Sequence, residues 1–203
     1  MTLTRTTHSA RYLMAVNEIA SSIDPVSIDR LVQLLCGVRD GGGRVFFLGV
    51  GGGASHAGHA VNDLRKIARV ESYSPSDNVA ELTARINDDG WVTAYANWLR
   101  GSHLCDRDMV FVFSVGGGDA GKDISTNIAA SLKLAKEVGA KISGIVGPSG
   151  GSTAALADAV IRIPVHIPEL VTALTESFQG VIWHAIVSHP DLKVNETKWE
   201  STR

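Results

Sequence analysis

Two short apolar runs, Val45 to Val50 and Met109 to Val115, each stop at a cluster of glycines after a strand's length, and this repeated pattern limits the possible folds more than any other feature of the chain. The first runs into Gly49-Val50-Gly51-Gly52-Gly53 and the second into Ser114-Val115-Gly116-Gly117-Gly118. Apolar runs this short, closed by turn residues, read as strands buried on both faces, which belong to parallel sheets. The rest of the chain supplies the crossovers. Strands are expected at Arg44 to Val50, Asp108 to Ser114, Lys141 to Val146 and Ala159 to Ile163, alternating with helices at Ala54 to Ala68, Ile124 to Val138, Thr153 to Leu156 and Leu170 to Ser188. Such alternation predicts an α/β fold in three layers, a central parallel sheet with helices on both sides. Helical spacing at Ala10 to Ser22 and Ile28 to Val38 adds two N-terminal helices. Val70 to Tyr73 fits a short strand, and Asn78 to Ile86 and Trp91 to Leu99 fit helices.

A chain of 203 residues that is 44% hydrophobic is long enough for one well-buried core, so one domain is expected. The formal net charge of −2, with Lys and Arg scattered, excludes the basic footprint of a nucleic-acid binder. Cys36 and Cys105 are far apart and lack metal-type spacing, as in a reduced intracellular protein. Met1 to Val16 mixes polar and charged residues with a few apolar ones, unlike the apolar core of a secretory signal. No apolar run approaches the roughly 20 residues needed to cross a bilayer. A cytoplasmic protein without a membrane partner is expected.

Each glycine cluster sits between a strand and a helix, so bare backbone N–H groups gather at a helix N-terminus, where anions bind. Two such loops at one sheet edge lie where open parallel sheets bind ligands; a lone loop would equally be a tight turn. Neither loop fits the Walker A pattern or a complete dinucleotide fingerprint. In the following helix, His59 and Asp63 are one turn apart and share a face, able to converge on one ion or substrate; such a pair also fits a surface ion pair. The last helix carries Glu176, Gln179 and His184 among Phe178, Val181, Ile182, Trp183, Ile186 and Val187. Polar groups in such surroundings need partners, so His184 also fits a hydrogen-bonded core histidine.

Taken together, Gly49 to Gly53 followed by His59-Ala60-Val61-Asn62-Asp63-Leu64 resembles the GNGGS loop and HFAEEL helix of phosphoheptose isomerases, at the same separation. Asn87-Asp88-Asp89-Gly90 is similar to that family's NDFG turn, the stretch from Ser114 to its STSGNS phosphate loop, and Glu176 with His184 to its Gln and His eight residues apart. The resemblance covers essentially the whole chain. It implies a sugar-isomerase (SIS) fold over residues 1–203, flavodoxin-like and doubly wound, with 1–41 as helices used in a homotetramer and 42–190 as the α/β core. It implies aldose–ketose isomerisation of a sugar phosphate, with sedoheptulose 7-phosphate as the family's substrate.

By position, Asp63 and His184 fall on the family's catalytic pair and His59 on its metal-binding histidine. The implied site comprises Gly51, Gly52, Gly53, Asp88, Ser114, Gly116 and Gly117 for substrate and phosphate, and His59, Asp63, Glu176 and His184 for a divalent ion, most simply zinc; Ser55 and Lys122, with Ser114, are read from this sequence itself as groups that restore part of the anion binding. Glu176 to His184 spans about 12 Å along a helix axis, which makes Gln179 an alternative ligand. The chain departs from the family at Val50, Gly53, Val115, Gly116 and Asp119, which replace Asn, Ser and hydroxyl residues, and at Asp63, which is shorter than Glu by one methylene. Asp119 would repel phosphate unless it caps the following helix, which is the expectation here. Such isomerisation needs a base, an acid and stabilisation of an enediolate oxyanion. Two alternatives keep the fold: isomerisation of another phosphosugar, such as a hexulose phosphate, and a non-catalytic replication-initiation cofactor or sugar-phosphate sensor.

Overall fold

The computed structural model describes residues 7–196; the outermost residues of the expected 1–203 domain lie outside that range. Thr7 accepts from Ala10 N and starts helix α1 (His8–Ser22). Asp24 then caps α2 (Pro25–Asp40), accepting from Val26 N at 3.0 Å. With that cap in front of it Pro25 takes the first helical position, where its missing N–H costs nothing, so α2 begins earlier than the apolar spacing alone indicates.

Five strands follow: β1 (Val45–Gly49), β2 (Ser72–Tyr73), β3 (Met109–Ser114), β4 (Lys141–Val146) and β5 (Ala159–Arg162). All pairings are parallel and the order is β2-β1-β3-β4-β5. This is the flavodoxin-like winding expected, with its reversal between β1 and β3. Alternation along the strands sends Val45, Phe47, Met109, Phe111 and Phe113 into a core shared with α1, α2 and the later helices α3 (Gly52–Asp63) and α8 (Val171–Val187). Phe46, Leu48, Val110 and Val112 point the other way, onto α5 (Trp91–Gly101) and α6 (Thr126–Val138). The two apolar runs are therefore continuous in sequence because both faces of their strands are covered. The remaining helices are α4 (Val79–Asp89) and the short α7 (Gly151–Leu156).

Pro168–Val187, which contains α8, is long and apolar enough to cross a bilayer by length and composition, but half of that stretch is buried inside the fold. Leu174, Phe178, Ile182 and Ile186 form its buried stripe. Its hydrophobicity is that of a core helix.

Three elements differ from the sequence-based expectation. The helix expected to run through Ala68 changes at Asp63 into a π-helical turn, Leu64–Ala68, ended by Arg69 in the left-handed region. Main-chain carbonyls of this turn bond outside it, since Ile67 O accepts from Val194 N and Asn195 N, and Lys66 O from Asn195 Nδ2. Asn87, Asp88 and Asp89 form the last turn of α4 rather than a loop, because Arg85 pairs with Glu81 at 2.8 Å and Asp89 at 3.7 Å along one helix face. Finally, α6 starts at Thr126, two residues late. Asp119 accepts from Gly121 N and Lys122 N and caps a separate 3-10 turn, Ala120–Lys122, so the capping role expected of Asp119 holds on a nearer element.

Candidate active site

The strand ends beneath the reversal carry the site. Gly53 stands where a side chain would collide with the main chain of Phe113, so the absence of Cβ lets α3 press onto the end of β3. Behind this contact α3 and α8 run side by side in one direction. Gly52 lies against Glu176, His56 against Gly180, and His59 and Asp63 against Trp183 and His184. The groove between the two helices holds the polar residues of both.

At its far end, His59 Nε2 lies 2.9 Å from Asp63 Oδ2, His184 Nε2 lies 3.4 Å from His59 Nε2, and His184 Nε2 lies 3.9 Å from the same Asp63 oxygen. Asp63 is buried, while the two imidazoles are exposed. A circle through the three atoms has a radius of about 2.0 Å, the length of a zinc bond to imidazole nitrogen or carboxylate oxygen. Two imidazoles and one carboxylate are also the donor set of a catalytic zinc site with one position left open. The residues present fit the ion.

The quartet expected from sequence is thus brought together only in part. Glu176 stands at the other end of the groove, its carboxyl carbon and both oxygens 2.6 Å from where a Cβ on Gly52 would lie. About two helical turns of α3, from Gly52 to His59, separate it from the cluster, and His56 stands between them. Burial holds the His56 imidazole below the usual histidine range, with the charge and backbone carbonyl of Glu176 pulling the other way. Gln179 is fully buried and donates to Ile145 O at 3.1 Å, while its Oε1 has no partner among the described residues.

Glu176 and Gln179 instead border a cavity of about 390 Å³ with Gly53, Ser114, Gly116 and Ile124. Val50 and Val115 add apolar wall. This is the crevice at the carboxyl ends of β1 and β3, where doubly wound sheets bind ligands. Of the other residues expected at phosphate, Gly52 borders this crevice only through its contact with Glu176. Gly51 begins α3 as its left-handed N-cap. Ser114 Oγ accepts from Gly117 N at 3.0 Å, and Gly117 packs against the main chain of Gly150; both residues build the loop. Ser55 is exposed on α3, Asp88 is exposed at the end of α4, and Lys122 pairs with Asp119 at 3.4 Å. None of these three lines the cavity.

One residue that sequence reasoning passed over is Trp183, whose Nε1 donates to Asp63 Oδ2 at 3.1 Å. A tryptophan in a buried stripe needs a partner for its N–H, and that requirement was the available signal.

No protein-family model matches the chain. It is 31% identical over 206 residues to the lincomycin biosynthesis protein LmbN of Streptomyces lincolnensis, spanning 93% of this chain and 73% of that one. To a phosphoheptose isomerase of Mycobacterium tuberculosis it is 30% identical over 165 residues, 77% of this chain and 76% of the relative. Among solved structures, phosphoheptose isomerase GmhA from Neisseria gonorrhoeae superposes with a TM-score of 0.75 at 21% identity, covering 89% and 93% of the two chains, a likeness of fold. With the winding of the sheet, the crevice at its reversal and these relatives in agreement, the chain belongs to the phosphoheptose isomerase family of SIS-fold proteins.

Proposed function

We propose that this protein isomerises a sugar phosphate between ketose and aldose, with sedoheptulose 7-phosphate as the expected substrate. The observation that carries the reading is the triangle of His59, Asp63 and His184, at the far end of the α3–α8 groove from the crevice between β1 and β3. The reaction moves one proton between neighbouring carbons through an enediolate and consumes no other reactant, so it needs only a base, an acid and a charge acceptor.

In this reading Asp63 takes the proton and His184 delivers one to the neighbouring oxygen. The two oxygens of Asp63 are unequally engaged: Oδ2 accepts from Trp183 and faces both imidazoles, whereas Oδ1 accepts from Asn62 Nδ2 alone, at 3.2 Å. Oδ1 is the less engaged atom. With the ion bound, His59, Asp63 and His184 would hold it, and its Lewis acidity would stabilise the enediolate oxygen in place of the proton from His184, whose ligating Nε2 then carries none. Gly53, Ser114 and Gly116 would hold the distal end of the substrate through backbone groups, with Gly51, Gly52, Gly117, Ser55, Lys122 and Asp88 outside direct contact.

We also assign residues 1–41 to contacts between copies in a cytoplasmic homotetramer. Leu13, Met14 and Val26 on α1 and α2 expose more than half of their surface, an unusual arrangement for large apolar side chains on a lone chain. The deciding experiment follows proton exchange at the first two substrate carbons by NMR, using sedoheptulose 7-phosphate and competing ketose phosphates. Exchange with none of them would refute the reading.

A further inference from the structure

The assignment of Asp63 leaves open what holds so short a carboxylate in place, and the surroundings of Trp183 answer that. Its indole is 3% exposed and meets Phe47, Phe111 and Phe113 edge-on, with centroid separations of 5.2, 5.7 and 6.0 Å. Those three rings stand on the central strands β1 and β3. Burial against three rings of one sheet face restricts the indole, so its N–H is a positioned donor. It meets Asp63 at the junction where α3 gives way to the π-helical turn. The main chain changes its winding there, and Asp63 Oδ2 is held both by His59 of its own helix and by Trp183 of α8.

We propose that Trp183 is a positioning residue for the isomerase reaction, a step that rests on the function proposed above. Its N–H commits Asp63 Oδ2 to the His59 and His184 side and leaves Oδ1 for the substrate proton. The indole touches neither substrate nor ion; it acts through Asp63. Donors behind metal-ligating carboxylates fix their orientation in the same way, and their loss typically weakens metal binding or activity about 10- to 100-fold.

The test compares Trp183→Phe with the wild-type chain in two backgrounds. Phenylalanine keeps an aromatic ring against Phe47, Phe111 and Phe113 and removes the donor. The expected result is a kcat for proton exchange lower by about 10- to 100-fold with KM within about threefold, and zinc affinity by calorimetry lower by about tenfold or more. In the Asp63→Asn background, Trp183→Phe should change the residual kcat by less than about twofold, because a residue that acts through Asp63 has nothing left to position. Equal losses in both backgrounds would show a merely structural tryptophan and overturn the proposal, as would unchanged kcat and zinc affinity. If the phenylalanine variant fails to fold, β-(3-benzothienyl)alanine at position 183 repeats the comparison with sulfur in place of N–H at nearly constant volume. The indole proton gives a readout free of turnover: its NMR signal should move upfield in Asp63→Asn, and a signal that stays in place would overturn the hydrogen bond itself. Absence of sugar-phosphate turnover would refute the function while leaving the NMR and zinc measurements to decide the role of Trp183.

Discussion

His59 and His184 present their Nε2 atoms to each other at 3.4 Å across the groove between α3 and α8, with Asp63 Oδ2 within 3.9 Å of both. Two imidazole nitrogens in that position cannot both be donors to one another, and one cation between them satisfies both together with the carboxylate. Zinc added at about 100 times its dissociation constant should therefore stabilise the wild-type fold by about 2.7 kcal/mol. His59→Ala should lose the ion and the activity together. Elemental analysis of protein purified without chelator, paired with thermal unfolding, checks this; metal-free protein with full turnover would remove the ion from the mechanism.

Asp63→Asn keeps the size of the side chain but removes the basic carboxylate. Sugar phosphate should still bind, while exchange at the substrate carbons should fall by a factor of about 10² to 10⁴, the usual contribution of a general base. His184→Ala should fall by a similar factor if acid and base serve one transition state. Wild-type exchange rates in Asp63→Asn would assign the base elsewhere.

Much of this arrangement is legible in the sequence, and the reasons are local. The glycine clusters after β1 and β3 mark the crevice because strand ends in a parallel sheet have few alternatives. His59 and Asp63 share a face because helical spacing puts them there. What sequence could not give was the register between α3 and α8, since that is set by packing between elements more than a hundred residues apart. Because Glu176 and His184 sit about 12 Å apart on one helix, the register that brings His184 to His59 leaves Glu176 at the crevice, where Gly52 makes room for its carboxylate. The π-helical turn after Asp63 depends on Val194 and Asn195, equally distant in sequence. Asp88 stands on a helix rather than in a turn for a local reason, its helix being extended by the pairing of Arg85 with Asp89.

Glu176 makes the crevice acidic: among the described residues no lysine or arginine lines it, and the carboxylate faces the place proposed for the distal end of the substrate. Glu176→Gln removes the charge and preserves the shape. Its affinity for a phosphosugar should rise by about tenfold at low salt, with the gain shrinking as salt screens the interaction. Calorimetry with the phosphorylated and the free sugar separates the effects, since only the phosphorylated ligand should respond. An unchanged ratio between the two would place the phosphate outside this crevice.

If α1 and α2 carry the contacts between copies, a charge at their exposed apolar positions should dissociate the assembly. The double substitution of Leu13→Glu and Met14→Glu leaves the buried residues Ala15 and Ile19 of α1 untouched. Sedimentation should show smaller species with wild-type helix content, and activity lost on dilution. A fully active monomer would refute the assignment.

Asp108 offers a test of the fold that is independent of the site. It is 1% exposed and holds the start of β3 to Arg44 at the start of β1, accepting from Arg44 Nη2 at 2.7 Å, Arg44 Nε at 3.2 Å, Arg44 N at 2.9 Å and Cys105 N at 3.0 Å. Burial pushes its carboxyl up, but the bonds from Arg44 and the backbone outweigh it and hold the group below its ordinary 3.8. A carboxylate more acidic in the folded than in the unfolded chain adds stability at all pH values above the unfolded value, and that stability is lost as pH falls through the folded one. Asp108→Asn turns an amide N–H₂ toward groups that are themselves donors. At pH 7 it should cost about 3 kcal/mol, as breaking a buried pair does, or about 6–12 °C of melting temperature for a chain of this size. Below about pH 4 the wild-type protein gives up the same interaction, so the gap between variant and wild type should narrow as the pH is lowered. Thermal unfolding of both proteins from pH 7 to pH 3 measures that gap directly, and a gap independent of pH would mean that the charge of Asp108 does not hold these strands together.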